Sequence, residues 1–308
     1  MLYDVHTHIG VDQAFILRGW WPYAATAQDL LEAMDAHGID RAVCFPFCVS
    51  SAFDPYSFAD RKRVELLPGR VPYDRENPLL LEEISRIDIE KRLRVLAMFD
   101  PSRRVAEQVE RLEILRPRLA GLKVQGTVIE SPISALLNEG RALMYFAEEY
   151  RLPVLIHTSI MPADPWSQVA DCIRVAEAYP KARFNLAHSL RFHEPSLKII
   201  RDMPNVWVDC AAHFNHCRLA VDDSPSVAVK SERVQADFTN PVDALQAVYD
   251  IIGPKYLWGS DNPFQSWCDD TMRMVHTYKQ EADALHALPA PIKHSMATTA
   301  PEAWLAIR

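Results

Sequence analysis

The chain has 308 residues, with 41 acidic against 33 basic, so it carries a formal charge of −8 at pH 7, and 49% of it is hydrophobic. This ordinary globular composition excludes disordered, collagenous and low-complexity chains. The acidic balance argues against a nucleic-acid partner, which calls for clustered Lys and Arg.

The length fits two ordinary domains or one large barrel with insertions. No stretch approaches the ~18 uninterrupted apolar residues of a membrane span. The opening MLYDVHTH carries neither a basic nor an apolar leader, so no secretory signal is expected. Cys44, Cys48, Cys172, Cys210, Cys217 and Cys268 form no CxxC pair. They read as buried, reduced thiols of a cytoplasmic protein.

Eight short apolar runs recur along the chain: 2–8, 41–47, 94–100, 120–126, 152–157, 182–188, 205–211 and 255–261. Most are apolar on both faces, as parallel strands covered by helices are. The segments between them carry helix punctuation. Thr26 with Asp29 predicts a capping box, Leu30, Leu31 and Met34 share one face, and Gly38 ends that helix. Asn77-Pro78, Asp164-Pro165 and Asn240-Pro241 each place an N-cap type before a proline at the first helical position. Gly253-Pro254 closes the helix begun at Asn240. Further helices are expected at 103–117, 138–150, 195–203, 268–287 and 295–306.

This alternation predicts an α/β fold, a (β/α)8 TIM barrel with long strand-to-helix loops, forming one domain over 1–308. A doubly wound sheet is the competitor, but no GxGxxG or Walker loop follows any run. The long connections 48–76 and 212–239 then fall on the C-terminal face, where active-site walls are built.

Polar residues gather at the ends of the runs. His6 and His8 lie two apart and point the same way in a strand. The fifth run ends in His157, the sixth in His188 and the eighth in Asp261. In a parallel barrel these ends converge. Imidazole nitrogens and a carboxylate oxygen suit a divalent ion such as Zn²⁺. His6, His8, His157 and Asp261 are the expected ligands, with His188 beside them as an acid/base group. Each piece alone has a plainer meaning: a lone His is more often a hydrogen-bonded core residue, and Asp261-Asn262-Pro263 fits an N-cap. It is the conjunction that carries the metal reading.

DVHTHIG, GLKVQG, LPVLIHTS, NLAHS and LWGSDNP, in that order, resemble the amidohydrolase superfamily. They are most similar to its amidohydrolase-related branch, which contains the aminocarboxymuconate-semialdehyde decarboxylase-like enzymes. The closing SMATTAPEAWLAI also resembles that branch, with Ala300 where an Asn is common. The resemblance implies one divalent metal, usually zinc, on His6, His8, His157 and Asp261, with His188 catalytic or a second ligand. Lys123 stands where binuclear relatives carry a carboxylated lysine. The branch often reads Lys-Leu-His there, against Lys123-Val124-Gln125 here, and a mononuclear site is preferred.

Around this set, Asp4 shares parity with His6 and His8 and either orients an imidazole or bonds at the barrel floor. His213 and His216 read as a solvated loop, with substrate contact as the sharper reading for both and His213 as the substrate candidate. Arg191 and His193 are placed to meet a substrate carboxylate, and Arg61-Lys62-Arg63 reads as a solvated charge run. Trp20, Trp21, Tyr23 and Trp267 are packing residues or walls of an aromatic pocket.

The leading expectation is a metal-dependent hydrolase of a small cyclic or carboxylated molecule, with metal-activated water as nucleophile and Asp261 as proton shuttle. Non-oxidative decarboxylation on the same ligands is the alternative. A nuclease branch would need a phosphate-binding surface that the charge does not support, and the complete ligand set argues against a non-catalytic barrel. Zn²⁺ is favoured over Mn²⁺. The expected partner is a small-molecule substrate, without nucleic acid or membrane, in a chain that forms a homodimer.

Overall fold

All eight apolar runs form strands. In the computed structural model, which describes residues 1–59, 63–266 and 275–306, the strands are β1 (Tyr3–Val11), β2 (Ala24–Ala25), β3 (Arg41–Pro46), β4 (Leu93–Met98), β5 (Gly121–Val124), β6 (Val154–Ile156), β7 (Phe184–Leu186), β8 (Val206–Asp209) and β9 (Tyr256–Leu257). Strand β2 is an addition at the rim, antiparallel to the end of β1 through Gly10↔Ala25 and Val11↔Ala24. The other eight pair in parallel in the order β1-β3-β4-β5-β6-β7-β8-β9. The sheet closes on itself just past β9. Val5 N donates to Trp258 O at 3.1 Å, Asp261 N to His6 O at 2.8 Å and His8 N to Asn262 O at 2.6 Å. The result is the expected (β/α)8 barrel.

Alternation along the strands divides the apolar residues into two layers. Val43, Phe45, Leu96, Met98, Leu155 and Leu257 fill the barrel interior. Ala42, Cys44, Val95, Ala97, Val154 and Ile156 pack outward against the helices. Five cysteines are buried and free; Cys268 lies outside the described residues. Among the described residues, no helix is long and apolar enough to cross a membrane.

Local punctuation works where nothing competes for the capping group. Helix Ala27–His37 has the capping box of Thr26 and Asp29 and ends at Gly38, whose φ of 68° needs no Cβ. Asn240 accepts from Val242 N at the start of helix Pro241–Ile252. Two expected caps are not caps. Asn77 lies inside helix Glu76–Ile87. Its amide instead pairs with the end of β4, donating to Met98 O at 2.9 Å and accepting from Met98 N at 2.8 Å. Asp164 accepts from Thr127 Oγ1 at 2.7 Å and from Trp166 N at 3.0 Å. The next helix starts only at Val169.

The two long connections hold helices of their own, Pro55–Ala59 and His213–Val221. The second overturns the reading of His213 and His216 as a solvated loop, since both are buried on that helix. Part of the expected 268–287 helix lies outside the described residues; its remainder is Tyr278–Ala287.

Gly259 stands at the closing seam, where a Cβ would lie 2.8 Å from His6 Cβ and 3.2 Å from His6 N. Gly259→Ala is therefore expected to push the last strand off the first and to cost about 1–3 kcal/mol. A lower urea midpoint at unchanged m-value checks this; an unchanged midpoint contradicts it.

Candidate active site

A cavity of about 590 Å³ opens at the C-terminal ends of the strands, and His6, His8, Lys123, His157, His188 and Asp261 all reach it. The pairing of β1 with β3 shifts register between Asp4 and Thr7. Tyr3 and Val5 belong to the inner cluster, and past the shift His6 and His8 also point inward, with ring centroids 5.5 Å apart. The shift breaks the expected parity of Asp4, which faces away from the imidazoles. Its carboxylate accepts from the backbone N–H groups of His6 at 3.2 Å and Ser260 at 2.9 Å, fastening the seam.

Asp261 takes the place between the two imidazoles. Its Oδ1 lies 3.2 Å from both His6 Nε2 and His8 Nε2. Asp261 has φ of 66°, a left-handed backbone that turns its carboxylate inward. Its side chain goes to the histidines and does not cap a helix. Among the described residues, one group of potential ligand atoms, from His6, His8 and Asp261, falls within 4.8 Å. All three residues are buried. Two nitrogens and a carboxylate oxygen facing one another suit a divalent ion.

His157, the fourth expected ligand, stands outside that group. Its Nδ1 lies 2.9 Å from His188 Nε2, and its Nε2 lies 3.1 Å from Arg191 Nη2. His188 Nδ1 donates to Ala211 O at 2.9 Å. Guanidinium only donates, so the proton order is set. Arg191 donates to His157 Nε2, His157 Nδ1–H donates to His188 Nε2, and His188 Nδ1–H donates to the carbonyl.

Both His188 and Arg191 come from a turn whose five residues, His188 to Phe192, have φ between 48° and 64°. Left-handed backbone costs an L-residue ~1–2 kcal/mol. It is sustained here by a buried network that aims both side chains at the cavity.

Asp209, which the sequence reading missed, organises this network. Its Oδ2 accepts from His6 Nδ1 at 2.9 Å and Asn185 Nδ2 at 2.8 Å. Its Oδ1 accepts the backbone N–H of His188 and of Ala211, each at 3.0 Å. An aspartate inside the apolar run NVWVDCA was the available signal. His216, the other histidine of the long connection, lines the cavity and accepts from Arg191 Nη1. Cys48, read as a plain core thiol, sits 3.9 Å from His8 Nδ1.

Lys123 is buried, with Nζ 3.3 Å from His6 Nε2 and 4.8 Å from the centre of the Phe45 ring. Trp20 lines the mouth beneath the Arg18 guanidinium, which lies 4.4 Å from its ring centre. Arg63, from the expected charge run, also lines the mouth; Arg61 and Lys62 lie outside the described residues, as does Trp267. Four other candidates, His213, His193, Trp21 and Tyr23, are not in the cavity lining. His213 Nε2 donates to Pro241 O at 2.8 Å, His193 bonds Ser196 Oγ at 2.7 Å, and Trp21 stacks edge-on against Tyr23.

Electrostatics follow from enclosure. Burial, reinforced by Arg191, holds His157 and His188 well below the ordinary histidine range, so both are neutral at pH 7. Burial lowers Lys123 to about 8. Burial works against ionisation of Asp261, but His6 and His8 prevail and hold it well below the usual carboxylate range.

A parallel barrel whose strand ends gather histidines, a buried lysine and an aspartate defines a class of metal-type enzyme scaffold. The chain belongs to the amidohydrolase family, which it matches over residues 3–307. No curated protein matches it by sequence. Among solved structures, it is similar to a probable 2-pyrone-4,6-dicarboxylic acid hydrolase from Acinetobacter baumannii with citric acid bound, at 15% identity over 99% of both chains and a TM-score of 0.63. A dihydroxybenzoic acid decarboxylase from Polaromonas sp. JS666, with manganese and 2-nitroresorcinol, matches at 13% identity over 99% of this chain and 97% of that one, TM-score 0.64. A zinc-bound amidohydrolase from Burkholderia multivorans matches at 13% identity over all of both chains, TM-score 0.63.

Asp209→Asn replaces one of two accepting oxygens, each of which receives two hydrogen bonds, by an N–H₂ that cannot accept. The expected loss is about 1–3 kcal/mol of unfolding free energy, read from urea denaturation. A variant as stable as the parent would remove Asp209 from this organising role.

Proposed function

We propose that this amidohydrolase-family enzyme is a metal-dependent hydrolase of a small carboxylated molecule, a lactone, amide or ester. The observation that carries the reading is the convergence of His6, His8 and Asp261 on one point of an enclosed cavity. These three would hold a divalent ion, zinc by preference and manganese as a substitute, and His157 would join them as fourth ligand by giving up the bond from Arg191 to its Nε2. A bound divalent ion supplies Lewis acidity to a carbonyl or to water.

The chain's own groups handle the protons and the substrate. Asp261 shares Oδ1 between two imidazoles, and its Oδ2 lies 3.9 Å from His188 Nδ1. From there it takes a proton from the attacking water and returns it to the leaving group, while His6 and His8 hold the carboxylate's orientation. The Lys123 ammonium donates to the oxygen that gains negative charge. Phe15, Phe264 and Trp20 line the same cavity and exclude bulk water. Arg18, Arg63, Lys123, Arg191 and Arg218 outnumber Asp12, Glu130 and Asp261 in that lining, which favours an anionic substrate.

Non-oxidative decarboxylation is the second reading. Aromatic walls beside cationic groups suit a planar aromatic acid equally well, and the Polaromonas neighbour is a decarboxylase. The metal-loaded enzyme, offered lactones and hydroxylated aromatic acids, is expected to open lactone rings without releasing carbon dioxide. Carbon dioxide from the acids would instead establish the second reading, and neither product would refute both. Asp261→Asn is expected to lower turnover by about 10²–10⁴-fold. His8→Ala is expected to lose bound metal and activity together, measured by elemental analysis beside the assay; full metal retention would remove His8 from the ligand set.

A further inference from the structure

Arg191 is a cation of the cavity wall held by three hydrogen bonds, none of them to a carboxylate. Its Nε donates to Thr158 O at 2.8 Å, its Nη1 to His216 Nε2 and its Nη2 to His157 Nε2 at 3.1 Å. Among the described residues, no carboxylate lies within ion-pair distance of it. Both imidazole nitrogens must accept through lone pairs, because a guanidinium offers only donors. They fix its direction without cancelling its charge. A guanidinium held in a partly enclosed wall by neutral acceptors, with Asp261, Asp164 and Asp209 acting on it only from a distance, has room for an anion in direct contact. Three of its five N–H groups are engaged, which leaves one on each terminal nitrogen, the arrangement a carboxylate takes up. Asn215, Arg218 and Ser226 line the same cavity.

The contact with His157 gives this a second consequence. His157 leads through His188 towards Asp261. On that path the guanidinium feels Asp261, Asp164 and Asp209 only from beyond contact distance, and it repels a divalent cation held by His6, His8 and Asp261. A carboxylate on Arg191 cancels the repulsion.

We propose that Arg191 anchors the substrate carboxylate and, through its charge against His157, couples carboxylate binding to metal binding. By linkage, each ligand tightens the other by the same factor. The coupling rests on the metal-dependent reading above; the anchor requires neither metal nor turnover.

The test uses benzoate and its neutral analogue benzyl alcohol, titrated calorimetrically into chelator-treated protein, and then Zn²⁺ titrated with and without saturating benzoate. The protein is expected to prefer benzoate to benzyl alcohol, and benzoate is expected to lower the Zn²⁺ dissociation constant about tenfold. Arg191→Leu is expected to lose the benzoate preference and the zinc shift while keeping the parent's circular dichroism. Arg191→Lys, a variant that keeps the charge and loses the fork, is expected to bind benzoate about tenfold more weakly than the parent, and it serves as the test if the leucine variant does not fold. Benzoate binding unchanged in both variants would overturn the anchor. A zinc shift that survives in Arg191→Leu would place the coupling in direct contact between metal and carboxylate, and so overturn the role of Arg191. Arg191-dependent benzoate binding in a protein that takes up no zinc would overturn the coupling and the metal-dependent function, and leave the anchor standing.

Discussion

Three backbone hydrogen bonds across one seam hold the site together. Val5 N to Trp258 O, Asp261 N to His6 O and His8 N to Asn262 O join the first strand to the segment after the last. They close the barrel, and they also bring two histidines from the start of the chain against an aspartate some 250 residues later. The side chains at the seam reinforce the backbone: Asp4 accepts N–H groups from both sides of it. Close approach at this point needs a residue without Cβ, which Gly259 supplies. Barrel closure and ligand convergence are thus one structural event, and it carries a large loop-closure entropy because it joins distant parts of the sequence.

Around the seam the barrel mouth concentrates groups that resist burial. Lys123, Asp209 and Asp261 are buried within reach of one another's fields, and each is compensated differently. Asp209 is saturated by four donors. Lys123 faces an imidazole and an aromatic ring. Asp261 is held between two histidines. Such an arrangement is poor as a source of stability and useful as a source of preset direction, which is what an active site requires.

The strand plan was legible because parallel strands buried on both faces leave unbroken apolar runs, and none of the eight was misplaced by more than a few residues. The ends of those runs named most of the cavity polar set, since every strand of a parallel barrel delivers its last residue to the same face. What stayed hidden depends on contacts between distant segments. The register shift in β1 turns Asp4 outward, and nothing in DVHTHIG announces it. Asn77 and Asp164 have cap-like neighbours, but strand ends and loops elsewhere claim their side chains. His157 and Arg191 were both marked, but not that they bind each other, because that depends on how a left-handed turn points. His213 and His216 have opposite fates on one short helix, which a loop assignment cannot distinguish.

That left-handed turn has a bearing on how the site keeps its shape. Five consecutive L-residues from His188 to Phe192 hold a backbone they would leave if freed. They are retained by Asp209 at one end, by Ser189 Oγ against Tyr256 Oη at 2.6 Å, and by Ala228 N and Val234 N, which donate to Arg191 O at 2.9 Å and Phe192 O at 3.0 Å. The last two clasps belong to the connection after the His213–Val221 helix, not to the barrel, and that connection is itself buried at Ala228 and Val234. Leu190 and Phe192 of the turn are buried in the same core. The aim of His188 and Arg191 is thus tied to core packing outside the sheet: a change that loosens this connection reaches the site without touching a strand.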